Sequence, residues 1–319
     1  MSAAQLFVAG DWGTSHLRLF LCRQTQVLDQ CAGPGISHFA AGPDAPSFPA
    51  TLTALLAPWI REHGNLPIWL AGMVGSRNGW HETPYVAAPA DVRALAAAVL
   101  HFDAAGLEVA IAPGLRCTNP LGAPDLMRGE ETQISGALAL DPRLGAGRQI
   151  VVLPGTHTKW VRLEQGRIVT FQTTLSGELY GLLKDHSMLA RAGNSPSLPP
   201  ESSAEAGRRG FELGLARVRN VGEVPFTHLV FEARSRQIAG EWSQPQALGF
   251  LSGLLICQDV QGALTLFGDD LDAAGAATVI GAAEVTDLYR RVLATHSIEA
   301  QIVAASDATI AGLHSFMTA

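Results

Sequence analysis

The chain has 319 residues, with 22 Lys and Arg against 29 Asp and Glu, so its formal net charge is −7. This length allows one large domain or two ordinary ones, and the 47% of apolar residues is enough for a sizeable core. A negative chain without clustered Lys and Arg is not typical of nucleic-acid-binding proteins. Small anionic substrates are not excluded, because a few arginines in a cleft are enough to bind them.

The cysteine pattern and the apolar segments indicate a cytoplasmic protein. The four cysteines form no CxxC pair, which favours reduced thiols. The N-terminus lacks the basic and apolar regions of a signal peptide. The longest apolar run, at 247–257, is too short to span a bilayer and predicts a buried helix. We therefore expect no nucleic-acid or membrane partner, and the oligomeric state stays open, with a homodimer as one option.

The N-terminal part predicts three strands in succession. Residues 5–11 (QLFVAGD) read as a buried strand that stops at the polar turn WGTS. Residues 16–22 alternate as a returning strand, and residues 26–32 predict a third strand. A helix follows around 47–63, because its leucines recur on one face.

The same succession recurs about half a chain later. Residues 149–154 predict a buried strand that stops at the turn GTHT. Residues 159–164 and 167–174 predict two further strands, joined by a Gln165-Gly166 hairpin turn. Residues 176–190 then predict a helix. A succession of strands that occurs twice in a sequence indicates the architecture of the whole chain.

The duplication predicts an α/β fold of two similar domains, each a mixed sheet flanked by helices, with a cleft between them. We place the domains at 1–140 and 141–319, with a final helix that packs back on the first domain. After the second unit the sequence predicts a surface loop at 192–203 and helices near 201–219, 228–239 and 245–260.

The two interrupted strands are typical of phosphate sites. A strand that ends in a Gly-Thr turn presents backbone N–H groups and small hydroxyls without side-chain bulk. The candidate phosphate ligands are Gly13, Thr14, Ser15, Gly155 and Thr156. The alternative is a pair of ordinary hairpins, which two turns at matching positions make less attractive.

Two further features would complete a nucleotide site. Asp11 ends a buried strand beside the first turn, where a carboxylate is well placed to hold a hydrated Mg²⁺. A third glycine turn, at Gly281 and Ala282, has the small residues that let a flat nucleoside approach closely.

Three motifs together resemble the sugar-kinase, Hsp70 and actin superfamily of ATP-binding proteins: DWGTS at 11–15, PGTHTKW at 154–160 and VIGAAE at 279–284. The resemblance implies two ribonuclease H-like (actin-like ATPase) domains, with ATP and Mg²⁺ as cofactors. It also implies that the two turns bind ATP from opposite domains. The GxxxxGK[ST] motif of P-loop NTPases does not occur.

Longer strings resemble the 2-dehydro-3-deoxygalactonokinase family over nearly the whole chain. They are AGMVGSRNGW at 71–80, ETPYVAAP at 82–89, MRGEETQ at 127–133, PGTHTKW at 154–160, SGEL at 176–179 and FLSGLLI at 250–256. This resemblance implies phosphorylation of the 6-hydroxyl of 2-dehydro-3-deoxy-D-galactonate by MgATP, in galactonate degradation.

Phosphoryl transfer needs positioning, charge stabilisation and a group that accepts the hydroxyl proton. Glu130 and Glu131 are the candidate bases, with a slight preference for Glu131. The alternative is that both acids only complement a helix N-terminus. A substrate carboxylate favours an arginine partner, and Arg128 and Arg77 are equally good candidates. Arg18, within a strand, is more typical of a structural ion pair.

The remaining candidate substrate residues have polar or aromatic side chains near these motifs. Trp80 and Tyr85 would line the sugar pocket, although ordinary core packing explains them equally well. Glu178 would bind a hydroxyl from the second domain, or serve as a first-turn helix acid. Lys159 is expected to be solvated, so His157 ranks above it. The complete set is Ser76, Arg77, Asn78, Trp80, Tyr85, Arg128, His157 and Glu178.

Three other functions compete with this one. The first is a kinase for a related sugar acid or a neutral sugar. The second is a non-catalytic, sugar-responsive regulator on the same fold, which would need a DNA-binding unit, whereas the first turn begins only ten residues into the chain. The third is an actin-like or chaperone ATPase, which we expect to carry a long additional C-terminal domain.

Overall fold

The structure is a computed structural model that describes residues 6–39, 47–191, 202–222 and 224–319. The loop predicted at 192–203 lies, up to residue 201, outside the described residues.

The described chain is a mixture of strands and helices in the alternating order of an α/β protein. The strands are β1 Leu6–Trp12, β2 His16–Arg23, β3 Gln26–Pro34, β4 Ile68–Ala71, β5 Tyr85–Ala87, β6 Leu100–Ala104, β7 Leu107–Ile111, β8 Gly114–Thr118, β9 Pro124–Met127, β10 Arg148–Leu153, β11 Thr158–Glu164, β12 Arg167–Thr174, β13 Ala276–Gly281 and β14 Glu299–Ala304. The helices are α1 Phe48–His63, α2 Val92–Ala96, α3 Glu130–Leu140, α4 Ser176–His186, α5 Ser203–Val221, α6 Phe226–Leu229, α7 Glu232–Ile238, α8 Gln244–Ala274, α9 Ala283–Ala294 and α10 Ala305–Thr318.

The first sheet has six strands in the order β3-β2-β1-β4-β7-β6. β1 runs antiparallel to β2 and parallel to β4. In this register Asp11, near the end of β1, lies opposite Arg18 on one side and Ala71 on the other. The carboxyl ends of β1 and β4 therefore lie at the same edge of the sheet.

Helix α1 covers this sheet with an apolar face. Its Leu52, Leu56 and Trp59 are buried, as their helical spacing predicts. Each such side chain contributes roughly 1.5–3 kcal/mol when fully buried. The Oγ atom of Ser47 accepts a hydrogen bond from the Ala50 N–H at 3.2 Å and caps the helix start.

The second sheet has five strands in the order β12-β11-β10-β13-β14. In each sheet the first three strands of the repeated unit lie side by side in reverse order, and a strand from later in the chain pairs with the first of them. The order β3-β2-β1-β4 is thus repeated in β12-β11-β10-β13. This repetition confirms the duplicated unit and the α/β fold class that the sequence predicts.

Contacts between Cα atoms divide the chain into two units that are discontinuous in sequence. Unit 1 comprises residues 1–151, 161–172 and 303–319, and unit 2 comprises residues 152–160 and 173–302. The single boundary expected between residues 140 and 141 stays a prediction. Within unit 1, α10 packs on α3, where a methyl group at Gly136 would overlap the carbonyl of Ala308.

Helix α8 is about twice as long as the sequence predicts. It begins after Ser243, whose Oγ atom accepts from the Gln246 N–H, and ends at Gly275 in the left-handed conformation. By length and composition the helix could cross a membrane, but most of its apolar stretch is buried inside the protein. The apolar run at 247–257 therefore lies within a longer helix than expected, and its predicted burial is confirmed.

Other predicted helices are shorter or broken. The helix expected at 228–239 is divided into α6 and α7, which are separated at Val230 and Phe231. The helix expected at 176–190 ends as an α-helix at His186, because Ser187 starts a separate 3₁₀ turn and accepts a hydrogen bond from the Leu189 N–H.

Glycines bring α5 and α8 into close contact in unit 2. A methyl group at Gly249 would overlap the carbonyl oxygen of Gly207, and one at Gly210 would overlap that of Gln246. Gly262, further along α8, faces open space, and a methyl group there would have no atom within 4 Å. Close helix packing therefore requires glycine at position 249 of α8, but it does not require glycine at position 262.

We predict opposite stability changes for two alanine variants of α8. Gly249→Ala should lower the free energy of unfolding by about 1–3 kcal/mol, because the methyl group forces the helices apart. Gly262→Ala should raise it by about 0.5–1 kcal/mol, because alanine loses less backbone entropy in a helix. Urea denaturation of both variants checks this, and equal shifts would contradict the close packing at Gly249.

Candidate active site

The first turn, Gly13 to Ser15, is held by backbone hydrogen bonds from the segment that follows β3. The carbonyl oxygens of Gly13, Thr14 and Ser15 accept from the N–H groups of Ile36 at 3.1 Å, Ser37 at 3.0 Å and Gly35 at 3.2 Å. The amides of Thr14 and Ser15 have no partner among the described residues. With its carbonyls occupied and these amides available, the turn suits an anion.

This arrangement requires a glycine at position 35. A methyl group there would overlap the backbone of Thr14 and Ser15. The Trp12 indole N–H donates to the Pro34 carbonyl oxygen at 3.0 Å and fixes the same segment from the other side. The sequence analysis did not predict that this segment supports the first turn, although the succession Gly33-Pro34-Gly35 is typical of a turn or loop.

Asp11, the predicted Mg²⁺ ligand, forms an ion pair with Arg18 at 2.5 Å. The pair explains Arg18 as a structural partner, as its strand position indicates. Asp11 retains about a quarter of its side-chain exposure, at 23%. Among the described residues no group of three or more His, Cys, Asp or Glu side chains could hold a metal. A single, partly exposed carboxylate fits a hydrated Mg²⁺ that takes its other ligands from water and phosphate.

Two glycines connect Asp11 to the start of α3 within unit 1. A methyl group at Gly72 would lie 3.4 Å from Asp11 Oδ1, and a methyl group at Gly129 would lie 3.2 Å from Gly72 Cα. Gly129 has φ +108°, which favours glycine. The Asp11 carboxylate and the start of α3, which carries the MRGEETQ motif, therefore lie close together. The sequence alone does not reveal this proximity.

The two candidate bases differ in their environment. Glu131 is fully buried, and its carboxylate accepts from the Gly129 N–H at 2.8 and 3.0 Å and from Thr132 Oγ1 at 2.9 Å. Burial, with the neighbouring Glu130 charge, raises the pKa of Glu131 to about 8. Glu130 is half-buried and accepts from the Arg128 N–H at 3.1 Å.

Arg128 is buried and oriented by two neighbours. Its guanidinium donates to Thr83 Oγ1, to the Thr83 carbonyl oxygen at 2.9 Å and to Tyr85 Oη at 3.4 Å. It also lies 4.2 Å from the centre of the Tyr85 ring. These contacts use three of the five N–H groups of an arginine, and two remain without a partner among the described residues.

The GSRNGW segment places one side chain inward and two outward. Ser76 is only 8% exposed, and its Oγ atom has no hydrogen-bond partner within the described ranges. A buried hydroxyl without a partner costs roughly 1–3 kcal/mol, so a ligand is its natural partner. Arg77 and Asn78 are both exposed to solvent. Their substrate roles stay predictions.

Trp80 belongs to an aromatic cluster of unit 1. Its ring stacks on Phe48, with centroids 5.9 Å apart, and meets Phe102 edge-on at 5.1 Å. The cluster also includes Trp12, whose ring centre is 6.5 Å from that of Trp80. Core packing therefore accounts for much of the Trp80 side chain, and its place in a sugar pocket stays a prediction.

The second turn lies in unit 2 and is held by α4. The Thr156 carbonyl oxygen accepts from the Glu178 N–H at 2.8 Å, and a methyl group at Gly177 would overlap Gly155. Glu178 lies in the first turn of α4, and its carboxylate meets His157 Nε2 at 2.6 Å. The sequence separates these two candidates by 21 residues, and the structure brings them into contact.

The burial of Lys159 differs from the prediction made from the sequence. The residue was expected to be solvated, but it is only 4% exposed, and its Nζ donates to the His157 carbonyl oxygen at 3.0 Å. The alternation of β11 begins at Thr158, so His157 lies outside the strand and remains exposed.

A cavity of about 280 Å³ adjoins the second turn in unit 2. Its walls include Gly155 from the turn and Glu284 from the start of α9. Gly281 ends β13, where a methyl group would lie 3.7 Å from the Pro154 carbonyl oxygen, and Ala282 precedes α9. The predicted second phosphate motif and the predicted adenosine motif therefore lie side by side.

Sequence reasoning missed four polar residues around this cavity: Thr158, Ser176, Asp259 and Tyr289. Three of them line it, and all four are joined by hydrogen bonds. Asp259 alone had a visible signal, because it interrupts an apolar helical run.

Comparison with known proteins gives consistent results over the full chain. The family model described as 2-keto-3-deoxy-galactonokinase matches residues 11–316. A protein of Rhizobium meliloti (strain 1021), named probable 2-dehydro-3-deoxygalactonokinase DgoK1, is 32% identical over 98% of this chain and 97% of its own length. The 2-dehydro-3-deoxygalactonokinase of Escherichia coli (strain K12) is 32% identical over 97% of this chain and 96% of its own length.

A solved structure resembles the whole chain as well. It is the crystal structure of a provisionally named 2-dehydro-3-deoxygalactonokinase from Sinorhizobium meliloti, with a TM-score of 0.79 and 31% identity. The match covers 98% of this chain and 95% of that protein.

We predict that Glu131 makes stability fall as pH rises. The unfolded chain releases this proton near the ordinary pKa of 4.5, whereas the folded protein keeps it up to about pH 8. Between these values the group lowers the free energy of unfolding by up to about 1.4 kcal/mol per pH unit. Glu131→Gln should remove that slope in urea denaturation at pH 5, 6.5 and 8.

Glu130→Gln, a change at the half-buried neighbour, is the matched control. It should keep most of the slope, because burial is the larger cause of the raised pKa of Glu131, but the slope should end at a lower pH, because the Glu130 charge also raises that pKa. If the curves of Glu131→Gln and the wild type are parallel across this range, Glu131 does not hold its proton in the folded state.

Proposed function

The chain belongs to the 2-keto-3-deoxy-galactonokinase family, and on this premise we propose that it is an ATP-dependent sugar-acid kinase. The acceptor is the 6-hydroxyl of 2-dehydro-3-deoxy-D-galactonate, in galactonate catabolism, and the location is the cytoplasm. The observation that best supports the proposal is the cluster in unit 1, where a turn with available amides, a pair of carboxylates and a buried arginine adjoin one another.

The reaction transfers one phosphoryl group. The 6-hydroxyl oxygen forms a bond to the γ-phosphorus of ATP, the bond from that phosphorus to the bridging oxygen breaks, and ADP leaves. The hydroxyl proton passes to a carboxylate. Glu130 and Glu131 at the start of α3 are the proposed acceptors. Because the pKa of Glu131 is raised to about 8, Glu131 accepts the hydroxyl proton only after it has released its own, so its contribution as a base should grow as the pH approaches 8.

The turns supply the groups that bind phosphate. In the first turn the amides of Thr14 and Ser15 donate to phosphate oxygens, with Gly13 leaving room for close approach. In the second turn the Thr156 amide does the same, and Gly155, whose N–H faces Thr158 Oγ1, leaves room for the close approach of phosphate. Mg²⁺ held through water by Asp11 would neutralise charge on the phosphates. The adenosine lies in the cavity beside Gly281 and Ala282.

The sugar acid is recognised by charge and by hydrogen bonds. Arg128 brings its positive charge and its two remaining N–H groups to the substrate carboxylate. Tyr85 and Thr83 hold the guanidinium in place. The unpartnered hydroxyl of Ser76 donates to a substrate hydroxyl or keto oxygen.

The other predicted substrate ligands come from both units. Arg77 and Asn78 are accessible to a ligand, and Trp80 supplies an apolar wall. His157 and Glu178 would bind the substrate as a hydrogen-bonded pair rather than singly.

MgATP-dependent phosphorylation, followed by mass spectrometry, tests the proposal. The panel is 2-dehydro-3-deoxygalactonate, its gluconate epimer, galactonate, galactose and glucose. Turnover on the first compound alone is the expected result. Equal turnover on both epimers would make it a broader sugar-acid kinase, and ATP binding without turnover on any compound would favour a non-catalytic regulator.

Removal of the base should abolish turnover without loss of nucleotide binding. We predict that Glu130→Gln or Glu131→Gln lowers kcat by roughly 10²–10⁴-fold, the usual contribution of a general base. Initial rates and calorimetric binding of ADP measure the two effects separately. Near-normal turnover in both variants would place the base elsewhere.

A further inference from the structure

Asp259 is a buried carboxylate in α8 that accepts four hydrogen bonds. Its Oδ1 accepts from Trp160 Nε1 at 2.9 Å and from Thr174 Oγ1 at 2.9 Å. Its Oδ2 accepts from Ser176 Oγ at 2.8 Å and from Tyr289 Oη. The donors come from β11, β12, α4 and α9, so one side chain connects five elements of unit 2. A carboxylate that is only 8% exposed needs such donors in place of water.

The charge of Asp259 fixes the direction of the neighbouring hydrogen bonds. A hydroxyl has one proton, and Ser176 and Tyr289 give theirs to the carboxylate. Their oxygens can then only accept. Thr158 Oγ1 lies 2.9 Å from Ser176 Oγ and 3.2 Å from Tyr289 Oη, so Thr158 is the donor to one of them. Burial and the Asp259 charge raise the pKa of Tyr289 well above its ordinary range, so this hydroxyl keeps its proton.

The same chain of bonds reaches the second turn. Because the Thr158 proton is used within the network, its lone pairs face the Gly155 N–H, 3.4 Å away. Gly155, Thr158, Ser176 and Tyr289 all line the cavity of about 280 Å³. Asp259 lies behind them and acts on the cavity only through these residues.

We propose that Asp259 is a positioning residue for nucleotide binding: it orients the hydroxyls of Ser176, Tyr289 and Thr158, and through Thr158 it holds Gly155 of the second turn. The ligand is a nucleoside di- or triphosphate, and this identification rests on the proposed kinase function. A purely structural Asp259 would instead affect folding and leave the nucleotide affinity of the folded protein unchanged.

Asp259→Asn is the most direct variant. The side-chain nitrogen of the asparagine is a donor, and it would face a group that donates to the carboxylate in the wild type. One of the neighbouring hydroxyls would then have to accept a hydrogen bond instead of donating one. We expect the Kd for ADP, measured by calorimetry, to rise about tenfold, in line with the loss of a charge-assisted hydrogen bond. The KM for ATP should rise by a similar factor, while the KM for the sugar acid stays within about twofold of the wild-type value.

Asp270→Asn is the matched control. Asp270 is also buried in α8, at 7% exposure, but it lies eleven residues further on, about 16 Å along the helix axis. It should alter the melting temperature without changing the Kd for ADP. Tyr289→Phe and Thr158→Val remove single members of the network and should each raise the Kd several-fold.

The outcomes separate this inference from the proposed function. If Asp259→Asn folds and binds ADP as tightly as the wild type, the positioning role is wrong and the kinase function is unaffected. If that variant does not fold, wild-type affinity in both Tyr289→Phe and Thr158→Val overturns the role. If the wild type itself binds no ADP, both fail. If it binds ADP but phosphorylates no sugar acid, only the proposed function fails.

Discussion

The backbone hydrogen bonds that close the first turn determine which of its groups remain for a ligand. Gly35, Ile36 and Ser37 occupy the carbonyl oxygens of the turn, so a surplus of N–H groups remains. The rest of the unit 1 site follows from the same edge of the sheet. Parallel pairing of β1 with β4 places Asp11 beside Gly72, and Gly72 contacts the start of α3. A change in this turn would therefore displace the carboxylates and Arg128 as well.

The second turn has the same task but a different support. One backbone hydrogen bond, from the Glu178 N–H to the Thr156 carbonyl oxygen, holds it, together with side-chain hydroxyls and one buried carboxylate. A side-chain network is more sensitive to substitution than a set of backbone hydrogen bonds, because its hydrogen-bond directions depend on the carboxylate of Asp259. The two sheets thus share the same strand order, while the groups that support the two turns differ.

Much of the fold was predictable from the sequence, because alternation and glycine turns are local signals. Both strand–turn–strand units were predicted almost to the residue. The length of α8 was not, since Asp259 interrupts its apolar pattern and only distant donors explain its burial. The site was predictable in part: the motifs identified Glu130 and Glu131, but adjacent residues on a helix differ in burial for tertiary reasons. The burial of Lys159 and the pairing of His157 with Glu178 likewise depend on contacts that no spacing reveals.

Both the kinase function and the role of Asp259 require that the cavity beside the second turn holds the nucleotide. A crystal structure of the protein with MgADP tests this most directly. We expect the adenosine in the cavity next to Glu284, with a phosphate oxygen within hydrogen-bond distance of the Thr156 amide. A nucleotide bound elsewhere, with this cavity empty, would contradict the assignment of the second turn and of the network behind it.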